Sequence, residues 1–176
     1  MKMVKPAMRH FKEVMAADEA YDAAGEEAYC GMHGRAGYAS WLVMLMRQAR
    51  EDVARYGMNP NEIYLMMDDE DRLYGFGQLR VVETEDVMTW AGHIGYSVPP
   101  DKRGNGYATI MLRLLLDMAF ERGLEQVLLT CDTDNLASQR VIEKCSGEFD
   151  GFYLVRPYHK RLYWFHAPGA NPALRS

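Results

Sequence analysis

The sequence predicts a single α/β domain, α+β by a stricter scheme, and three observations carry that expectation. The hydrophobic pattern changes from helical to alternating near residue 62. A strand, a glycine turn and a strongly periodic helix follow one another between Gly92 and Arg122. A continuous apolar run, Val127 to Cys131, then has the length and composition of a strand covered on both faces.

The elements read in order as follows. Residues 5–24 are rich in Ala, Met, Glu and Lys and predict a helix. Gly25 to Gly37, with Gly31 and Gly34 between them, predicts a loop. A second helix is expected from Ser40 to Tyr56, ending near Gly57 with Asn59-Pro60 beyond. Glu62 to Met67 and Leu73 to Val82 flank the charged run Asp68-Asp69-Glu70-Asp71 and predict a hairpin whose turn is solvated. From Gly92 to Val98 the chain alternates, with Ile94, Tyr96 and Val98 on one face and His93, Gly95 and Ser97 on the other.

Tyr107 to Arg122 gives the clearest helix. Tyr107, Ile110, Met111, Leu114, Leu115, Met118 and Ala119 form a buried stripe, and Gly123 stops the helix. After Val127–Cys131, Asp134 or Asn135 caps a further helix carrying Ala137, Val141 and Cys145 one turn apart. Two last strands are expected near Phe152 to Val155 and Arg161 to Phe165. The domain is expected over residues 1–166, with 1–60 as a helical substrate-side region, 61–166 as the binding core and 167–176 as a loose tail.

Bulk properties narrow the function classes. The chain has 176 residues, 48% hydrophobic and 26% charged, as in ordinary globular domains. A formal net charge of −5 and a pI near 5.5 argue against a nucleic-acid binder and suit solubility or cationic substrates such as amines. Cys30, Cys131 and Cys145 are odd in number and widely spaced, which argues against a disulfide framework or a zinc cluster and suits a reducing cytoplasm. Lys2 and Lys5 precede no apolar segment of signal-peptide type. The longest greasy run, Tyr38 to Met46, is far short of a membrane span.

The segment Val98-Pro99-Pro100-Asp101-Lys102-Arg103-Gly104-Asn105-Gly106-Tyr107-Ala108 holds the chemical signal. Two prolines end the strand, a basic glycine turn follows, and the strong helix opens. The first turn of a helix carries unpaired N–H groups and the positive end of the dipole. Glycines there let a ligand reach the backbone, and Arg103 can fork onto a phosphate. The segment lacks the G-x-x-x-x-G-K-[ST] of a P-loop, and Thr109 stands where a dinucleotide fingerprint needs its third glycine. From the glycines alone, an anion site and a plain strand-to-helix turn both stay open.

Arg103-Gly104-Asn105-Gly106-Tyr107-Ala108 resembles the [QR]-x-x-G-x-[GA] diphosphate motif of the GNAT acetyltransferases, and Asp134 to Cys145 resembles their N-x-x-[AS]-x-x-[LV]-Y-x-K-x-G segment. The string Gly92-His93-Ile94-Gly95-Tyr96 with Thr130-Cys131-Asp132 is similar to a bacterial GNAT subgroup whose acceptor is unassigned. The resemblance covers residues 62–165 and is weak before them. It implies a mixed, mostly antiparallel sheet with a splayed parallel strand pair, flanked by helices. It also implies N-acetyl transfer from acetyl-CoA to a primary amine by direct attack in a ternary complex, with no metal and with a homodimer as a possible assembly. On this resemblance Arg103, Gly104, Asn105, Gly106, Tyr107 and Ala108 would hold the CoA diphosphate through main-chain N–H groups. Tyr96, Ser97 and Val98 would pair with the pantetheine arm, the Val98 N–H would polarise the thioester, and Asn135 and Ser138 would contact the same arm. Ile142 stands where the family often has an acidic tyrosine, so the proton donor would be Tyr153, water or none. That departure also admits an acetyl-CoA sensor without turnover. Transfer of a larger acyl group is a further alternative.

The attacking amine must lose a proton. His93 is the first candidate base, with an unperturbed pKa near 6.5 suited to the task, and Glu83 is a second. Each also fits a packed or solvated side chain. Cys131 reads as a structural thiol, since no histidine is signalled beside it. Trp41, Met44 and Met46 read as helix packing, with an apolar substrate slot as the alternative.

Overall fold

The computed structural model describes residues 1–27, 37–50 and 59–169. The chain folds into two antiparallel sheets with helices on both faces. In the first sheet β1 (Lys2–Val4), β2 (Glu62–Met67), β3 (Leu73–Leu79) and β4 (Ile94–Ser97) lie in chain order. In the second, β7 (Lys160–His166) sits between β5 (Gln126–Asp132) and β6 (Glu148–Tyr153). The helices are α1 (Phe11–Ala23), α2 (Gly37–Gln48), α3 (Tyr107–Glu121) and α4 (Leu136–Lys144).

Strand β1 was not legible. Three residues carry no period, and they become a strand only by pairing with β2 from Lys2↔Met67 to Val4↔Leu65. Pro6 and a 3-10 turn at Met8–His10 delay the first helix to Phe11. The second helix starts at Gly37, not Ser40, and stops at Gln48, with Ala49 and Arg50 already outside it; Tyr56 and Gly57 lie outside the described residues, as do Cys30, Gly31 and Gly34. The hairpin's second strand stops at Leu79, and the strand expected at Phe152–Val155 instead runs over Glu148–Tyr153. Its register against β7 shifts between Phe149 and Gly151, which breaks the alternation that sequence reading depends on.

Alternation along β2 sends apolar side chains to both faces of the first sheet. Tyr64 and Met66 join Leu112, Leu115 and Ala119 of α3, while Ile63, Leu65 and Met67 pack on Val14, Tyr21 and Trp41 of α1 and α2. Gly75 and Gly77 let α3 lie close on β3. A Cβ at Gly75 would stand 2.7 Å from Met111 Cε, and one at Gly77 3.0 Å from Leu115 Cδ1. The buried face of α3 is turned from the expected stripe, with Leu112 and Leu116 inside and Ile110 39% exposed. The helix packs against both sheets and buries a broader arc than one stripe.

Asp68 closes the β2–β3 turn. Its Oδ1 accepts the N–H groups of Glu70 (3.0 Å) and Arg72 (2.9 Å). At the start of β2, Glu62 meets Lys5, Arg122 and Tyr64. Burial pushes its carboxyl up, but those three donors outweigh it and hold the pKa at about 2.

Gly92 occupies φ 69°, ψ 168°, a conformation open essentially to glycine alone, and an added Cβ would stand 3.0 Å from Leu128 O. Gly92→Ala is therefore expected to destabilise the fold by about 2–4 kcal/mol. Urea unfolding measures this, and a loss below about 0.5 kcal/mol would contradict it.

Candidate functional site

The site is a wedge between β4 and β5. At its narrow end the His93 N–H donates to Leu128 O (2.7 Å), and the Leu128 N–H donates to His93 Nδ1 (2.9 Å). Beyond this joint β4 pairs only with β3 and β5 only with β7. Both strands leave the joint toward the same opening, which is the splay that the sequence implied.

The opening forms a cleft of about 400 Å³ whose walls include Tyr96, Ser97, Val98, Arg103, Ala108, Asn135 and Ser138. These seven are among the residues assigned to the cofactor from sequence. The Tyr96 hydroxyl and Ser138 Oγ lie 2.9 Å apart across the wedge, and Asn135 Oδ1 caps α4 by accepting the Ser138 N–H (3.0 Å). Deeper in, a second hollow of about 350 Å³ shares Tyr96, Asn135 and Ser138 and continues past Gly95, Thr130 and Cys131. Burial pushes the Cys131 thiol up to about 11, so it stays protonated and unreactive at neutral pH.

The glycine turn stands at the mouth of the cleft. Gly104 (φ 79°) and Gly106 (φ 80°) adopt left-handed conformations, and no atom lies within 4 Å of where a Cβ would be on either. Gly106 caps α3 without any side-chain bond, so the first N–H groups of a 15-residue helix face outward. Asn105 Nδ2 folds back to the carbonyls of Lys102 (3.1 Å) and Arg103 (3.0 Å), which fixes the turn. Tyr107 packs on Tyr74 at 4.6 Å between ring centroids. The Arg103 fork is closed on Glu26 (2.7 and 2.6 Å) and its Nε donates to Val98 O (3.0 Å), so its side chain ties the segment after α1 to the turn.

His93 is fully buried in the joint and is not on the wall of either hollow. Because Nδ1 accepts the Leu128 N–H, the neutral ring carries its proton on Nε2, which points toward Glu83 Oε1 at 3.8 Å. Burial lowers its pKa. Glu83 lies in the loop after β3, exposed and likewise off the cleft walls. Ile142 is buried in the core, and Tyr153 ends β6 away from both hollows.

Several residues at the site gave no sequence signal. The Tyr21 hydroxyl meets Ser97 Oγ at 2.5 Å, bringing α1 onto β4, and Glu26 lines the cleft. Tyr21 follows Val14 and Ala17 on one helical face and reads as core. Arg80, Trp90 and Lys160 line the deeper hollow from three separate segments.

Comparison with known proteins agrees with this geometry. The profile of the acetyltransferase (GNAT) domain matches residues 5–148, and the chain belongs to that family. The uncharacterised N-acetyltransferase YnaD of Bacillus subtilis is 28% identical over 98 residues, 55% of each chain. The match thus spans about half the length of that relative. RimJ of Mycobacterium smegmatis, solved with CoA-disulfide, superposes with a TM-score of 0.68 at 20% identity, covering 94% of this chain and 81% of that one. The microcin self-immunity acetyltransferase MccE, solved with acetyl-CoA and AMP, superposes with a TM-score of 0.63 at 15% identity over 94% and 91% of the two chains. At these identities the likeness establishes the fold. Among the described residues, no helix is long and apolar enough to cross a membrane.

Proposed function

We propose that this chain transfers an acetyl group from acetyl-CoA to a primary amine by direct attack in a ternary complex. The observation that carries the reading is the wedge, in which β4, the edge strand of its sheet, lies beside a helix N-terminus opened by two left-handed glycines. An extended pantetheine arm can add to β4 as a strand, and its diphosphate can accept the N–H groups of Gly106, Tyr107 and Ala108. The acetyl-CoA and CoA bound by MccE and RimJ support the same co-substrate.

In this reading the Val98 N–H donates to the thioester oxygen as charge develops there. The amine nitrogen bonds to the carbonyl carbon, the C–S bond breaks, and the electron pair leaves on sulfur. A thiol of pKa about 8.5 departs tolerably as thiolate, so Ile142 in place of a tyrosine does not block the step. The amine's proton leaves through water in the deeper hollow, past the Tyr96, Ser138 and Asp132 oxygens that line it. We assign His93 to holding the joint, because its one basic lone pair already accepts a backbone N–H.

Thermal unfolding with acetyl-CoA, using ATP and NAD as controls, tests the cofactor. Ligand at a hundred times its dissociation constant adds about 2.7 kcal/mol, or roughly 5–10 °C in a domain of this size. No shift, or a shift without release of CoA thiol on any of a broad amine panel, would overturn the reading.

A further inference from the structure

The formal charge on the wall of the cleft cancels. Among the described residues that line it, Arg103 is the one cation and Glu26 the one anion. Two charge-assisted bonds join them, Nη1 to Oε1 at 2.7 Å and Nη2 to Oε2 at 2.6 Å, in the fork-to-fork geometry of an arginine on a carboxylate. Those bonds hold the Glu26 carboxyl below its usual range, so it is a full anion at neutral pH. The guanidinium also meets Val98 O through Nε (3.0 Å) and has the Tyr21 hydroxyl beside it. Arg103 opens the glycine turn, so its fork stands where the transferase reading puts a diphosphate.

The pair is placed to exchange. Its side chains are 46% and 44% exposed, and an ion pair this open to water adds little to stability. The Glu26 N–H donates to Tyr21 O (3.0 Å), which fixes the backbone of this residue just past α1. Its carboxylate, by contrast, is bonded to Arg103 alone among the described residues. A diphosphate offers the same planar fork two oxygens and more negative charge. One set of N–H groups cannot serve both anions, and a carboxylate left beside a diphosphate repels it.

We propose that Glu26 competes with the CoA diphosphate for Arg103, and thereby lowers the affinity of the cleft for acetyl-CoA and for the CoA product. The incoming diphosphate takes the guanidinium from Glu26, and Glu26 takes it back as CoA leaves. The inference rests on the cofactor part of the transferase reading, and its test needs no turnover.

The test is calorimetric titration of acetyl-CoA and CoA into wild type and Glu26→Gln. At about 50 mM salt the variant should bind both ligands at least about fivefold more tightly. At about 0.5 M salt, where exposed charges are screened, the gain should fall below about twofold. Acetylpantetheine carries the thioester without the diphosphate, and the two proteins should bind it within about twofold of each other. Arg103→Gln should weaken acetyl-CoA at least about fivefold. Adding Glu26→Gln to it should recover less than about twofold, since no guanidinium remains to be released. The melting temperature of Glu26→Gln alone should stay within about 2 °C of wild type. A Glu26 that only braces the turn predicts the opposite, weaker acetyl-CoA binding in Glu26→Gln. That result, an equal gain with acetylpantetheine, or a gain undiminished in the Arg103→Gln background would overturn the proposal. If Arg103→Gln does not fold, the salt dependence and acetylpantetheine decide it. If wild type binds acetyl-CoA and Glu26→Gln binds it no better, this inference alone fails. If neither protein binds it, the cofactor reading fails as well.

Discussion

Replacing His93 with leucine is expected to remove about 2–4 kcal/mol of unfolding free energy. The Leu128 N–H would lose its partner in the interior, and an unpaired buried donor costs about 1–3 kcal/mol. The rest comes from repacking a joint where Gly92 already leaves no space near the Leu128 carbonyl. Urea unfolding near neutral pH measures the loss, and a change under about 0.5 kcal/mol would contradict the assignment. The same variant should alter the acid limb of stability. Burial lowers the folded pKa of His93, so the unfolded chain binds more protons at this position below about pH 6.5. That contribution is present above the unfolded value and is lost as pH falls toward the folded one. Glu62 acts in the same direction at lower pH, between its ordinary carboxylate range and about 2. His93→Leu should make the upper decline shallower, leaving the share of His10, whose pKa burial also lowers, and leave the lower decline in place. A wild-type profile flat from pH 7 to about 5 would contradict this.

Ala137→Trp should reduce kcat/KM for acetyl-CoA by at least about 100-fold, or about 2.7 kcal/mol of transition-state binding, while the melting temperature stays within about 2 °C of wild type. Ala137 is exposed on α4 and lines the cleft, so an indole there fills the route of the pantetheine arm without entering the core. This position is a better probe than Gly106. At φ 80° any side chain on Gly106 strains the backbone, and lost binding could not be separated from lost structure. An Ala137→Trp protein that kept wild-type kinetics would show that the cofactor does not use this cleft.

Much of the scaffold was legible because the signals are local. The glycine turn needs positive φ at Gly104 and Gly106, and that demand appears in the residues themselves. The Asn135 cap and the period of α3 are contained within a few turns of chain. The face of α3 was less well read, because packing against two sheets buries more than one stripe. Strand β1 and the shift in β6 were missed because each depends on the strand it pairs with.

The candidate site divides in the same way. Most residues on the wall of the cleft follow from the two motifs and the strand before the first, each contiguous in the chain. The residues that position them do not. Tyr21 reaches Ser97 across 76 residues and Glu26 reaches Arg103 across 77, and neither looks unusual among its neighbours. His93 illustrates the limit: its type and strand suit a base, and only the tertiary structure shows its Nδ1 accepting the Leu128 N–H. By itself the sequence determined most of the elements and the glycine turn before α3, because backbone conformation and periodicity are written in adjacent residues. Tertiary structure decided the opening of the wedge, the closing of Arg103 on Glu26 and the gathering of Arg80, Trp90 and Lys160 around the deeper hollow. Those arrangements arise when separate elements pack, and the spacing between residues along the chain does not encode them.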